Sequence, residues 1–178
     1  MPIQVQGNGA TLRASTCNDQ TDFDTAISLY SGDCVSSECM IFKDNDPKCS
    51  LSRGASALVW ESLEGEVYHL FVQENARVGQ AGNFVLTVEE VNPEESQSPN
   101  NEQSPIQDSV EGDLVISNGS NDICDDALDI SRWIDSGRSI RGSTVESTID
   151  FDRPICNFAH NQTTPDVYFK VTGNGKVS

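Results

Sequence analysis

Positive charge is scarce in this chain: 11 Lys and Arg stand against 28 Asp and Glu in 178 residues, so the formal net charge is 11 − 28 = −17. A surface of that sign repels phosphate, which excludes a nucleic-acid-binding domain as the ordinary reading. Long hydrophobic runs are missing too. Nothing approaches the roughly 18–20 apolar residues that cross a bilayer, so no membrane span is expected. Met1-Pro2-Ile3-Gln4-Val5-Gln6 lacks the charged and apolar regions of a signal peptide, and no secretion signal is expected within the chain. Histidine is limited to His69 and His160. There is no G-x-S-x-G, no H-E-x-x-H and no Cys beside a His, so nucleophilic and zinc-peptidase mechanisms lack their parts. Carboxylates are so abundant that no glycosidase-like pair stands out. The chain reads as a non-enzyme.

What is present begins with six cysteines, Cys17, Cys34, Cys39, Cys49, Cys124 and Cys156. An even number at irregular spacing in Gly- and Ser-rich sequence favours disulfides over metal ligation, because zinc knuckles need closer pairs or a nearby His. Cys34 and Cys39 close a short loop, and Cys124 and Cys156 share a separate segment, which leaves Cys17 with Cys49 by elimination. Disulfides imply an oxidising compartment, hence an extracellular or cell-surface location. Two sequons, at Asn118 and Asn161, are compatible with a secretory route and are the candidate glycosylation sites.

Short strands bounded by turn residues fill the first half: 3–6, 11–15, 23–30, 39–43, 57–62, 67–73 and 83–90. Phe23, Thr25, Ile27 and Leu29 share one face and Asp24, Ala26 and Ser28 the other, the period of a half-buried strand. Val67, His69, Phe71 and Gln73 alternate likewise with Tyr68, Leu70 and Val72, and His69 reads as a partly exposed cross-strand residue. Gly65 predicts a tight hairpin between the strand of Trp60 and that of Tyr68. Residues 92–120 turn to Pro, Ser, Asn, Gln and Glu, with no Lys or Arg and a short apolar patch at Leu114-Val115-Ile116; this is a solvated acidic linker. Strand-like sequence resumes over 139–149 and 166–171, with a short helical turn expected at Asp125–Leu128. Many short strands and few helical runs predict an all-β antiparallel sandwich, disulfide-stabilised.

The two ends carry a repeat. Ile3-Gln4-Val5-Gln6-Gly7-Asn8-Gly9 matches Phe169-Lys170-Val171-Thr172-Gly173-Asn174-Gly175 at an offset of 169 − 3 = 166. The chain then reads as a window on a tandem array, with 1–91 the C-terminal part of one repeat, 92–120 the linker and 121–178 the N-terminal part of the next. The two parts can complement each other as one circularly permuted sandwich. Neighbouring repeats of the same protein are the partners this implies.

Several pieces in order resemble the bacterial pre-peptidase C-terminal domain family: Ala14-Ser15-Thr16-Cys17, Thr21-Asp22-Phe23-Asp24-Thr25 leading to Leu29-Tyr30-Ser31-Gly32, Cys34 with Cys39, and Asp44-Asn45-Asp46 before Cys49. Gly65-Glu66-Val67-Tyr68 and Gly82 to Val88 resemble its later strands, and Asn121-Asp122-Ile123-Cys124 with Ala127 resembles its opening. The departure is that opening and closing elements are swapped around the linker. The resemblance implies a jelly-roll-like β-sandwich of the kind found beside secreted peptidases and in repetitive extracellular proteins, some of which bind calcium.

Asp22, Asp24, Asp44, Asn45 and Asp46 form the candidate metal site, since hard carboxylate and amide oxygens suit Ca²⁺; the opposing reading makes them turn residues. Asn121, Asp122, Asp125 and Asp126 read as a helix N-terminus. Trp60 and Tyr68 are expected in the core, whereas Trp133, among Ser131, Arg132 and Asp135, is the candidate ligand-binding aromatic for an extracellular carbohydrate or protein. The function expected is a non-catalytic binding or attachment module of a secreted multidomain protein. The alternative is an accessory segment of a secreted hydrolase whose catalytic domain lies elsewhere.

Overall fold

The computed structural model describes residues 9–33, 36–49, 54–74, 81–92, 114–115, 127–131, 134 and 138–147, together with the backbone of 4–6 and 166–171. Eleven strands are arranged in two sheets, with no α-helix among the described residues. They are β1 (Gln4–Gln6), β2 (Thr11–Ser15), β3 (Thr25–Ser31), β4 (Glu38–Asp44), β5 (Ala57–Glu61), β6 (Val67–Glu74), β7 (Asn83–Glu90), β8 (Leu114–Val115), β9 (Leu128–Asp129), β10 (Ser139–Ser143) and β11 (Asp166–Val171). One sheet runs β4-β3-β6-β11-β9, with β1 also on β6; the other runs β5-β2-β7-β10-β8. Most pairings are antiparallel, but the two-residue strands β8 and β9 lie parallel to β10 and β11. Among the described strands only β3 and β4 are paired neighbours in sequence, so nearly every other step between them crosses between sheets or spans a long connection.

The core follows from strand alternation. In the second sheet Leu12, Ala14, Leu58, Trp60, Phe84, Leu86, Val88 and Ile140 join one buried cluster with Ile27, Leu29, Tyr68, Leu70 and Val72 of the first. Each large side chain removed from water there contributes about 1.5–3 kcal/mol. Trp60 and Tyr68 meet edge-to-face across the sandwich at 6.2 Å, and Phe23 meets Phe84 at 6.5 Å. Gly142 lies opposite Phe84 in the β10–β7 register, and a Cβ built on it would fall 2.5 Å from the end of the Phe84 ring. The ring therefore occupies the space that a side chain at position 142 would need.

Residues beyond the acidic stretch complete both sheets. β10 pairs with β7 from Ser139–Thr87 to Ser143–Asn83, and β11 pairs with β6 from Asp166–Gln73 to Val171–Tyr68. Ile130, Ile134 and Ile140 enter the same core. Leu114 and Val115, read above as part of a solvated linker, form β8 on the edge of β10, and Leu114 packs against the core. Two apolar residues suffice there because a neighbouring strand supplies the hydrogen bonds. Leu128, expected in a helical turn, lies in β9, and Ala127 before it is not helical; Asp125 and Asp126 fall outside the described residues.

Three further expectations are corrected. Gly65 does sit in a turn, at φ 82°, but β5 and β6 belong to different sheets, so the connection is an arch over the sandwich and not a hairpin. Its two strands face each other through Trp60 and Tyr68, and the Tyr68 hydroxyl accepts the Leu63 N–H at 2.9 Å. β3 is not half-buried: Ala26, Ser28 and Tyr30 on its second face are as enclosed as Ile27 and Leu29. His69 is 2% exposed, on that same second face, where Tyr30 and Phe71 pack at 4.7 Å with Cys39 against them. Ala, Ser and His alternate with larger apolar residues whether or not that face is covered, so alternation alone does not reveal the covering.

Gly142→Ala is expected to destabilise the fold by about 1–3 kcal/mol, the cost of overpacking a filled core. A urea titration measures it, and an unchanged midpoint would contradict the Phe84–Gly142 packing.

Candidate functional site

At one end of the sandwich β2 leaves its sheet, β3 starts, β4 stops and β5 starts, and three fully buried hydroxyl residues meet. These are Thr16, Thr25 and Ser56. Thr16 Oγ1 donates to the Ser56 carbonyl at 3.1 Å and accepts the Ser56 N–H at 3.0 Å. Thr25 Oγ1 lies 2.6 Å from Thr16 Oγ1, and Ser56 Oγ donates to the Thr25 carbonyl at 2.6 Å while accepting the Asn45 N–H at 2.8 Å. Each hydroxyl has one proton, and one assignment uses all three: Thr16 to Ser56, Thr25 to Thr16, Ser56 to Thr25. Backbone bonds from Thr16 N to Ser56 O, Thr25 N to Gly54 O and Asp46 N to Ala55 O enclose the knot. Its members come from both sheets.

The Cys17–Cys49 disulfide lies beside the knot, with a Cα–Cα distance of 5.1 Å, inside the usual range. It joins the end of β2 to the turn after β4 and so fastens one sheet to the other. Asp46 contributes the third member of a group in which one carboxylate oxygen and the two sulfurs lie within 4.8 Å of one another. The sulfurs are bonded to each other and are not thiolates, so in this state the group is not a metal site. Cys39 is also disulfide-bonded. The expected pairing of Cys34 with Cys39 and of Cys124 with Cys156 involves positions outside the described residues.

The acidic candidates are placed around this end on separate tasks. Both carboxylate oxygens of Asp22 accept hydrogen bonds from Asn83, at 2.7 Å from the backbone N–H and 2.9 Å from the side-chain amide. Gly82 permits that approach, because a Cβ there would lie 2.3 Å from Asp22 Oδ1. Asp24 packs against Gly54, whose φ is 84°. Asp44 accepts the Asn45 side-chain amide at 3.0 Å, and Asp46 accepts the Lys48 N–H at 2.9 Å. Asn45 itself takes the left-handed conformation, φ 59°, which Asn tolerates better than most residues. No three carboxylates from this set lie within 4.8 Å of one another among the described residues. Asp44 ends β4 and Asp46 follows it in the turn that the disulfide anchors.

A shallow groove of about 280 Å³ runs over the outer face of the second sheet, between Gln20, Asn83, Val115, Arg141 and Ser143. It sits at the lower edge of the range for small-molecule sites. Asn83 and Ser143 already donate to Asp22 and to the Gly82 carbonyl. Trp133, Asn118 and Asn161 lie outside the described residues. No family model, no curated protein and no solved structure matches this chain.

Sequence reasoning found Cys17, Cys49 and the surrounding acidic residues but not Thr16, Thr25 and Ser56. Their only signal was position, since each flanks or opens a strand where hydroxyl residues are common. Thr16→Val keeps the shape and removes the hydroxyl, stranding the Ser56 N–H side of the knot; a loss of about 1–3 kcal/mol is expected. Thr16→Ser is expected to recover most of it. Equal thermal midpoints for Thr16→Val and the parent would contradict a structural role for the knot.

Proposed function

We propose that this chain is a non-catalytic extracellular binding or attachment module, with a jelly-roll-like sandwich, from a multidomain secreted protein. The observation that carries the reading is the Cys17–Cys49 bond, which fastens two sheets to each other at a buried hydroxyl knot. A bond used in that way is suited to an oxidising compartment, where no chaperoned cytosolic pool maintains the fold. The surface that results is acidic, with a shallow groove of mixed polar and apolar lining that suits contact with an extended ligand better than enclosure of a small one. Calcium is the accessory part of the reading, carried by Asp44, Asn45 and Asp46 on the anchored turn.

Two measurements on the purified chain test this. Thiol titration of the unfolded, unreduced protein is expected to find no reactive cysteine, and six reactive thiols would overturn the extracellular assignment. The melting midpoint is expected to be higher in millimolar calcium than in chelator, because a ligand that binds only the native state stabilises it by mass action. Equal midpoints would assign the acidic residues to turn formation alone.

A further inference from the structure

Thr16 and Asn45 stand immediately before Cys17 and Asp46, and both are bonded to Ser56. The Thr16 N–H donates to the Ser56 carbonyl at 2.9 Å, and the Asn45 N–H donates to Ser56 Oγ at 2.8 Å. The Asp46 N–H bonds the Ala55 carbonyl at 2.9 Å, and Ser15 Oγ accepts the Cys17 N–H at 3.1 Å. Asp46-Pro47-Lys48-Cys49 is a turn closed twice: the Cys49 N–H reaches the Asp46 carbonyl at 3.0 Å, and the Lys48 N–H reaches Asp46 Oδ1 at 2.9 Å. None of these bonds passes through the Cys17–Cys49 link. Opening the disulfide therefore leaves the backbone of Cys17, Asp46 and Cys49 in place. The three side chains are half-buried, within reach of solvent, and offer two sulfurs and a carboxylate oxygen within 4.8 Å of one another.

We infer that the reduced chain binds one zinc ion here, through the Cys17 and Cys49 thiolates and the Asp46 carboxylate, so that metal and disulfide are alternative staples of one junction. The Asp-x-x-Cys spacing over 46–49 is that of a zinc knuckle with a carboxylate in place of the first thiolate, and Cys17 adds a third ligand from the end of β2. Two sulfurs on a tetrahedral zinc, each at about 2.3 Å, stand about 3.8 Å apart. Rotation about the two Cα–Cβ bonds reaches that separation while the Cα atoms stay 5.1 Å apart. Water takes the fourth position. Zinc suits this donor set better than calcium, which takes roughly six to eight oxygens, and zinc has no redox chemistry with which to oxidise the thiolates. The exchange balances: a dithiol gives two electrons and two protons to the Cys17–Cys49 bond and closes to its own disulfide. Zinc then displaces the two thiol protons and remains Zn²⁺. The disulfide form belongs to the oxidising compartment proposed above and the zinc form to reducing surroundings.

The test uses the full chain reduced with a phosphine, which carries no thiol to compete for metal, and Co²⁺ as the visible probe. The reduced parent is expected to bind Co²⁺ with the strong visible absorption of a tetrahedral site and a thiolate-to-cobalt charge-transfer band, both abolished by Zn²⁺. The oxidised parent is expected to show neither band. Asp46→Asn keeps an oxygen for the Lys48 N–H and is expected to weaken Co²⁺ binding by about tenfold or more. Cys17→Ser combined with Cys49→Ser is expected to remove the bands. Near-ultraviolet circular dichroism shows whether each protein keeps its packing. A reduced parent without the bands would overturn the proposal, as would a reduced parent that unfolds, since the hydroxyl knot must hold the junction alone. Unchanged affinity in Asp46→Asn, or bands undiminished in the double serine variant, would place the metal on other residues and overturn it equally.

Discussion

The fold depends on satisfying one strand. β6 is enclosed on both faces from Tyr68 to Glu74, and water does not reach its backbone there. Each N–H and C=O along it therefore needs a protein partner, since an unmet buried group costs as much as a lost hydrogen bond. β3 provides the partners on one side, and the other side is provided by β11, far along the chain. The second sheet repeats the arrangement, with β7 flanked by β2 and by the distant β10. Neither sheet is complete without residues from beyond the acidic stretch.

That dependence gives the disulfide and the hydroxyl knot their importance. A fold in which almost all pairings are long-range pays a large chain entropy before its contacts form. Cys17–Cys49 reduces that cost by keeping the two sheets near each other even when their edges open. Thr16, Thr25 and Ser56 then fix the same junction in the native state, where each hydroxyl proton has an acceptor. The acidic residues outside the knot shape turns around it, Asp22 through Asn83 and Asp46 through Lys48.

Most strands were legible because alternation is local. The bounds read for 11–15, 83–90 and 166–171 match β2, β7 and β11, and the all-β class followed from them. Which sheet a strand joins is not local, so Gly65 looked like a hairpin although Trp60 and Tyr68 face each other across the core. Two-residue strands such as Leu114–Val115 have no period to read; a neighbour defines them. His69 was read as partly exposed because alternation does not show whether a strand's second face is covered, yet it is buried with Tyr30 and Phe71 beside it. Cys17 and Cys49 were found by elimination among six cysteines, whereas the knot beside them was hidden in ordinary strand-end hydroxyls. The calcium candidates were found as residues, but their hydrogen bonds could come only from the structure.

Amide hydrogen exchange on the intact, oxidised chain tests the central claim most directly. If residues 139–143 and 166–171 complete the two sheets, their amides will exchange as slowly as those of β6 and β7, because opening either would expose the same core. Fast exchange in 139–143 and 166–171 beside slow exchange in β6 and β7 would contradict the account and leave the first half as a sandwich that closes without them.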